Sequence, residues 1–374
     1  MRIASLSFSR IPSRKANAVQ VMRMCEAFAG AGHQVTLFAS HGSEAGDPYA
    51  YYGVSRTFEL VRCRRPSGAI GGLVYGGRVA RAVKTRPLPH LFYGRDLYSL
   101  AAVASLGRPI VFEAHILPTG FVGRMLQARL FRRSSFRRLV VISQVLAHDY
   151  QRLFPWLRKE LFLVAPTGAA LSPGCVGIEE PLAGSLRRNG RLHAGYAGQL
   201  YQGKGVEVVV ELAKRLPEVD FHVIGGSEAL ITEWRRATAG MDNLRFHGHW
   251  PAARTEAFRQ AMDVLLAPYQ DNMLTEHSQR DYGRWVSPLK VFEYMASRKP
   301  IIASDVPALR EVLADDVNAV LVAPRDLAGW AAALAALAQD APRRRRLAER
   351  AHQDAVSKYS MGARARAVLD GVSA

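Results

Sequence analysis

The chain has 374 residues, 49% of them hydrophobic and 22% charged, which excludes a disordered polymer and leaves room for two full cores. Its 50 Lys+Arg against 32 Asp+Glu give a formal net charge of +18. That excess is unevenly placed: residues 1–165 hold 24 Lys+Arg and 8 Asp+Glu, residues 166–374 hold 26 and 24. Arg outnumbers Lys by 42 to 8, a skew that genome composition can produce, but genome composition does not explain acids scarce in one half only. A lopsided basic half faces something anionic: nucleic acid, a membrane surface or a phosphorylated substrate. Cys25, Cys63 and Cys175 are few, odd in number and without metal-ligand spacing, as expected of a reduced cytoplasmic protein. The first residues lack a signal-peptide core, and the longest apolar run, Gly329 to Ala338, is about half of the ~20 residues a membrane helix needs. A resting place at the inner face of a membrane stays open.

In chain order, Arg2–Phe8 reads as a strand, Ala18–Ala31 as a helix ended by Gly30 and Gly32, and Gln34–Ala39 as a second strand. This βαβ unit implies a parallel sheet. Further strands are expected at Val61, Leu91–Tyr93, Pro109–Glu113, Leu139–Ile142 and Leu161–Ala165, with helical segments such as Leu97–Leu106 between them. From Pro166 to Asn189 the pattern breaks into Gly, Pro and Ser and reads as a linker. Strands then recur at Leu192–Ala197, Asp220–Ile224, Leu244–His247, Val264–Ala267, Ile301–Ser304 and Ala319–Val322, separated by helices such as Gly205–Arg215, Ala252–Met262 and Pro288–Ser297. A closing helical segment runs from Ala328 to about Leu369, its Arg343–Arg346 run reading as a solvated helix start. The expected fold class is α/β: two Rossmann-like domains with parallel sheets facing a central cleft, the default ligand site.

Three segments carry the chemistry. Gly195-Tyr196-Ala197-Gly198-Gln199-Leu200-Tyr201-Gln202-Gly203-Lys204-Gly205 follows a strand and opens a helix. Small residues let the backbone approach a phosphate, the helix start offers N–H groups, and Lys204 adds a full charge; an ordinary strand–helix turn is the competing reading. Phe221-His222-Val223-Ile224-Gly225-Gly226 ends a strand on two glycines, which equally suits a tight turn. Ser287–Lys299 places Pro288 at a first helical position and Lys290 in the opening turn, where a cation opposes the helix dipole and so implies an anion nearby. Glu293 shares its face with Lys290; as a plain i,i+3 surface pair the two would contribute only ~0.2–0.5 kcal/mol.

The ordered set Gly30-Ala31-Gly32-His33-Gln34-Val35, Gly198–Gly205, Gly225-Gly226, Phe246-His247-Gly248 and Phe292-Glu293-Tyr294-Met295-Ala296 resembles the retaining glycosyltransferases of family 4, which have the GT-B fold. The resemblance covers essentially the whole chain, with Ser287–Ala303 its most specific part. It implies an acceptor-side domain at 1–168, a linker at 169–190, a nucleotide-sugar domain at 191–355 and a C-terminal helix at 356–374 that can pack back on the N-terminal domain. It further implies that Lys204 and the residue at position 199 face the donor diphosphate, and with Gln199 at that position one charge is missing. Family members commonly have Arg where Gln199 stands, and Lys290 can supply the missing charge. Glu293 matches the second glutamate of the family's Glu-x7-Glu motif and would bind the ribose; Trp285 replaces the first, with Asp281 or Glu276 as candidate substitutes. The N–H groups of Leu289 and Lys290 would cup the diphosphate, and Trp250 falls where the nucleotide base is held, with core packing as the alternative. In the first half Phe8–Asn17 matches the loop lining the acceptor side, with Asn17 in place to touch sugar or acceptor. His115 of Glu113-Ala114-His115 matches a position beside the reacting sugar, whereas Arg95-Asp96 reads as a surface pair.

The implied reaction moves a sugar from a nucleotide-diphosphate sugar, UDP or GDP, to a hydroxyl acceptor with retention. Candidate catalytic residues are His115, Lys204 and Glu293. Lysines and helix N-termini suit the leaving diphosphate without a metal, and no other cofactor is expected. Expected partners are the donor and a saccharide or lipid-linked acceptor, possible anionic ones included, in cell-envelope polysaccharide, lipopolysaccharide or glycolipid synthesis. Arg124–Arg138, with Met125, Leu126, Leu130 and Phe131, reads as a basic amphipathic patch for peripheral contact with an anionic membrane, with a solvated domain face as the equal alternative. Competing readings are a sugar-nucleotide-binding protein without transferase activity and, less favoured, a nucleic-acid binder.

Overall fold

The computed structural model describes all residues except 69, 170–189, 252–253, 271–284, 286, 288 and 373–374. It divides into two compact units: Met1–Thr167 with Met361–Ala374, and Gly168–Ser360. The linker reading for 169–190 falls almost wholly outside the described residues, as do Asp281, Glu276 and Cys175.

The first unit holds a seven-stranded sheet of β1 (Arg2–Ile11), β2 (Gln34–His41), β3 (Glu59–Cys63), β4 (Leu91–Gly94), β5 (Ile110–Ala114), β6 (Phe136–Val141) and β7 (Phe162–Val164), in the order β3-β2-β1-β4-β5-β6-β7. Its helices are α1 (Ala16–Gly30), α2 (Pro48–Tyr52), α3 (Gly71–Lys84), α4 (Leu97–Val103), α5 (Gly120–Phe131) and α6 (Gln144–Leu153). The second unit carries β8 (Leu192–Ala197), β9 (Val219–Ile224), β10 (Leu244–Gly248), β11 (Val264–Ala267), β12 (Ile301–Ser304) and β13 (Val320–Val322), in the order β10-β9-β8-β11-β12-β13. Its helices are α7 (Val206–Arg215), α8 (Glu228–Ala237), α9 (Thr255–Ala261), α10 (Leu289–Ala296), α11 (Pro307–Arg310), α12 (Leu327–Gln339) and α13 (Ala341–Lys358); α14 (Met361–Leu369) returns to the first unit and packs on α1.

All strand pairs are parallel. Both faces of each sheet are therefore covered, and β5, β9, β11 and β12 are buried along their whole length. In each unit the strand order reverses once, between β1 and β4 and between β8 and β11, and ligands of such sheets bind beyond the strand C-termini at that point. Helix α7 shows why the sequence was readable: Val206, Val209, Leu212 and Ala213 recur at helical spacing and are buried, while Lys214 and Arg215 sit in the last turn, favourable for the helix dipole.

Two expectations need correction. The closing segment is three helices because Asp340 ends α12 and caps α13, accepting from the Arg343 N–H at 2.8 Å, and Ser360 separates α13 from α14. The Arg run at this start is partly engaged: Arg343 and Arg346 both pair with Asp316, at 2.8 and 2.7 Å. Phe8–Asn17 is mostly not a loop. Strand β1 continues to Ile11 past a register shift between Leu6 and Arg10, and Asn17 already lies in the first turn of α1.

His222, in β9, is hydrogen-bonded on one side to His193 Nδ1 and on the other to His247 Nε2, both at 3.0 Å. Burial first, then the neighbouring ring His247, holds its pKa down at about 3; burial and Arg245 hold His247 at about 4. His222 and His247 are thus neutral at physiological pH, and the three rings link three adjacent strands of the sheet.

Candidate functional site

In the second unit the site is built on the end of β8. The Tyr196 hydroxyl donates to the Gln199 carbonyl at 2.7 Å and lies 3.2 Å from the Lys204 carbonyl, pinning both ends of the following loop. Gly205 closes the loop at φ 85°; a Cβ there would stand 1.7 Å from the Pro268 carbonyl oxygen. Gly225, at φ 111°, packs so tightly on Gly198 that a Cβ would come within 2.0 Å of its carbonyl oxygen. Both glycines are therefore demanded by close backbone approach, and the strand ends form one compact shelf.

Helix α10 is fastened to that shelf by Tyr294, whose hydroxyl accepts from the Ala197 N–H at 2.8 Å. This places Lys290 above the end of β8. Its side chain is buried, and among the described residues its Nζ has no hydrogen-bond partner. The ammonium instead lies 3.9 Å from the Tyr196 ring centre and 4.6 Å from that of Tyr269. Lys204 reaches the same Tyr269 ring at 5.2 Å. Burial lowers the Lys204 pKa to about 8; burial, then the charge of Lys204, holds Lys290 well below the usual lysine range. Two lysines thus converge on one tyrosine and repel one another. Lys290 is not half of a surface pair with Glu293.

Glu293, one turn further along α10, meets Arg259 of α9 at 3.3 Å. Arg259 is buried and also holds Glu256 at 2.6 Å and the Ser297 hydroxyl at 2.9 Å. Leu289 opens α10 beside Lys290. Trp250 is half-buried, with the rings of Phe258 and His247 centred 6.1 and 6.3 Å away. Trp285 is likewise half-buried.

The first unit contributes a buried polar cluster at the end of β5. Glu113 is 1% exposed. Its Oε1 accepts from Gln20 Nε2 at 3.0 Å and bonds His115 Nε2 at 2.6 Å; its Oε2 takes the Tyr93 hydroxyl and Arg364 Nη2, the latter at 2.9 Å. Burial alone would raise the Glu113 pKa, but Arg364, then His115 and Arg95, hold it well below the carboxylate range. Burial, then Arg95, lowers His115 to about 4 against the pull of Glu113, so its imidazole is neutral at pH 7. Asn17 is half-buried and has no place in this cluster.

Arg95-Asp96 is not a surface pair. Arg95 donates to Gln20 Oε1 at 3.1 Å within the cluster, and Asp96 is buried as the cap of α4. Nor is Arg124–Arg138 one amphipathic element, because α5 stops at Phe131 and β6 starts at Phe136. Leu130 and Phe131 are core residues, Arg132 stacks on Trp156 at 4.3 Å, and Arg138 donates to the Ala367 carbonyl at 2.9 Å. The exposed apolar side chains lie in the first half of α5: Phe121 is 81%, Val122 52% and Met125 41% exposed.

Arg259, Arg364, Tyr93 and Gln20 escaped sequence reasoning. One signal was available: a glutamate inside the apolar strand Ile110–Ala114 needs a buried cation. Nothing local says that α14 supplies it.

Two parallel α/β units, each with polar groups gathered at the switch point of its sheet, define the GT-B class of nucleotide-sugar enzymes. Residues 18–171 match the family model described as Glycosyltransferase Family 4, and residues 191–340 match Glycosyl transferases group 1. The chain belongs to the family 4 glycosyltransferases. It is 33% identical over 182 residues to the D-inositol 3-phosphate glycosyltransferase of Xylanimonas cellulosilytica, a match covering 47% of this chain and 40% of that one. It is 30% identical over 167 residues to the phosphatidyl-myo-inositol mannosyltransferase of Mycolicibacterium smegmatis, covering 43% and 40%. The match thus spans only 40% of the length of either curated relative. The fold is that of Anabaena HepE, solved in complex with UDP-glucose, at TM-score 0.72 and 17% identity over 99% of this chain and 98% of that one.

Proposed function

We propose that the protein transfers a sugar from a nucleoside-diphosphate sugar to a hydroxyl acceptor, with retention and without a metal ion. The observation that carries this reading is the buried Lys290 ammonium, without a hydrogen-bond partner among the described residues, beside Lys204 at the end of β8. Such cations are costly in the free protein and become favourable once a polyanion binds. As the glycosidic bond breaks, negative charge grows on the diphosphate, and preorganised cations stabilise that leaving group. Glu293, oriented by Arg259, is suited to accept hydrogen bonds from ribose hydroxyls. UDP or GDP is the expected nucleotide. Transfer from a panel of UDP- and GDP-sugars that persists in excess EDTA is the expected result; donor binding without transfer would favour a sugar-nucleotide-binding protein.

The pH dependence has a definite sign. Lys204 is half neutral near pH 8 in the free protein, and a bound diphosphate favours its charged form. Donor affinity should fall as pH rises through about 8, with proton uptake on binding there. Calorimetry in buffers of different ionisation enthalpy reads both.

The acceptor is proposed to be a saccharide or a lipid-linked, anionic hydroxyl compound at a membrane. Phe121 and Val122 project beside Arg124 on a strongly basic unit, the arrangement that suits an anionic bilayer. Phe121→Ser should weaken sedimentation with phosphatidylglycerol vesicles and leave donor binding intact; equal sedimentation with neutral vesicles counts against the reading.

A further inference from the structure

We infer that Arg364, on the C-terminal helix α14, is a positioning residue for His115: through Glu113 it fixes the imidazole as the Nε2–H tautomer and leaves Nδ1 as an acceptor for a substrate hydroxyl. The inference rests on the proposed transferase reading for the identity of that hydroxyl, but not for the tautomer.

The geometry leaves the ring little choice. Glu113 is ionised and can only accept, and its Oε1 stands 2.6 Å from His115 Nε2, so Nε2 carries the proton. A neutral imidazole then has its lone pair on Nδ1, which makes no hydrogen bond among the described residues. The His115 side chain keeps 17% of its surface exposed, so the ring is open to approach on part of its surface. An acceptor nitrogen of this kind recognises an O–H donor and repels phosphate or carboxylate oxygens.

Charged and titratable groups face this histidine from every side of the cluster: Glu113 on β5, Tyr93 on β4, Arg95 after β4, and Arg364 on α14, with uncharged Gln20 on α1. Arg364 is the member whose fork is fully used. Its Nε donates to the Pro166 carbonyl at 2.8 Å and its Nη2 to the Ala165 carbonyl at 3.2 Å, while Nη2 also pairs with Glu113. Its Nη1 reaches Tyr93 Oη at 3.4 Å. A lysine, with one point charge and no planar fork, cannot reproduce this set. Arg364 therefore does two things for His115. It keeps Glu113 ionised, which fixes the tautomer, and it supplies positive charge that opposes protonation of the ring. Removing it takes away one of the positive charges that oppose protonation of the ring and should raise the His115 pKa.

The test is nitrogen NMR of the full chain labelled at histidine, with His115 assigned through His115→Gln. In the wild type at pH 7, His115 is expected to carry its proton on Nε2 and to titrate near pH 4. In Arg364→Met its midpoint should rise, and Arg364→Lys should recover only part of the shift. The acid limb of the transfer rate should move with that midpoint, while UDP binding in the second unit is unchanged. An Nδ1–H tautomer in the wild type overturns the proposal without recourse to any variant, as does an unmoved midpoint in folded Arg364→Met. His115→Phe should raise the KM of whichever substrate brings the hydroxyl, donor or acceptor; if neither KM changes, the hydroxyl contact is wrong. Should the tautomer and titration behave as expected while no sugar donor is ever turned over, the positioning role stands and the transferase reading falls.

Discussion

Lys290→Met is expected to weaken binding of the nucleoside diphosphate by about a hundredfold or more, the scale on which a single preorganised charge-stabilising donor counts. The same substitution should leave the free protein at least as stable as wild type. Lys290 is 9% exposed, its Nζ lacks a hydrogen-bond partner among the described residues, and Lys204 repels it. Methionine fills nearly the same volume against Tyr196 and Tyr269 without a charge to desolvate. The pH dependence follows from linkage. The folded-state pKa of Lys290 lies below its unfolded value, so its burden on stability is fully present below the folded pKa and fades as pH rises toward ~10.4, the ordinary lysine value. Thermal unfolding with and without UDP, repeated between neutral and alkaline pH, reads both quantities. A variant with a lower Tm that still gains the full shift from UDP would mean that Lys290 is a packing residue and that the anion site lies elsewhere.

That contrast also shows how far the sequence could be read. The glycine shelf was legible because its constraints are local: a strand, two glycines and a helix start within one segment. Lys290 and Glu293 were legible from their place at the head of α10, although their separate engagements were not. Lys290 is turned toward tyrosines that follow or end other strands, and Glu293 toward an arginine of α9. Elements with a strong period, such as β8 and α7, were bounded to within a residue or so. The Ala-rich closing segment hid its breaks because the helical pattern continues across them and only a single Asp cap marks the first. His115 was picked out by its strand-end position, but the groups that fix its state come from α1, β4 and α14, which no spacing in the sequence brings together. Periodicity reports which face of an element is buried. It is silent on which charged side chains meet there.

Arg259 is the sharpest example, and its removal should have the largest effect on folding. Arg259→Met leaves Glu256 and Glu293 facing one another beside Ser297 without their cation, and loss of one partner from such a buried network costs about 3–5 kcal/mol. Burial by itself would raise the Glu256 pKa, yet Arg259 reverses this and holds it below the usual value. Glu256 therefore contributes stability above its unfolded pKa that is lost as pH falls through the folded value. In Arg259→Met this acid dependence should vanish or invert, because a carboxylate buried without its partner gains from protonation. Adding Glu256→Gln to that variant should recover part of the stability by removing one of the two unmatched charges. Donor affinity should not recover with it, since Glu293 would still lack the guanidinium that orients it. Denaturant unfolding of the single and double variants, paired with UDP calorimetry, separates the two effects. If stability and affinity return together, Arg259 supports the fold alone and Glu293 needs no orientation from it.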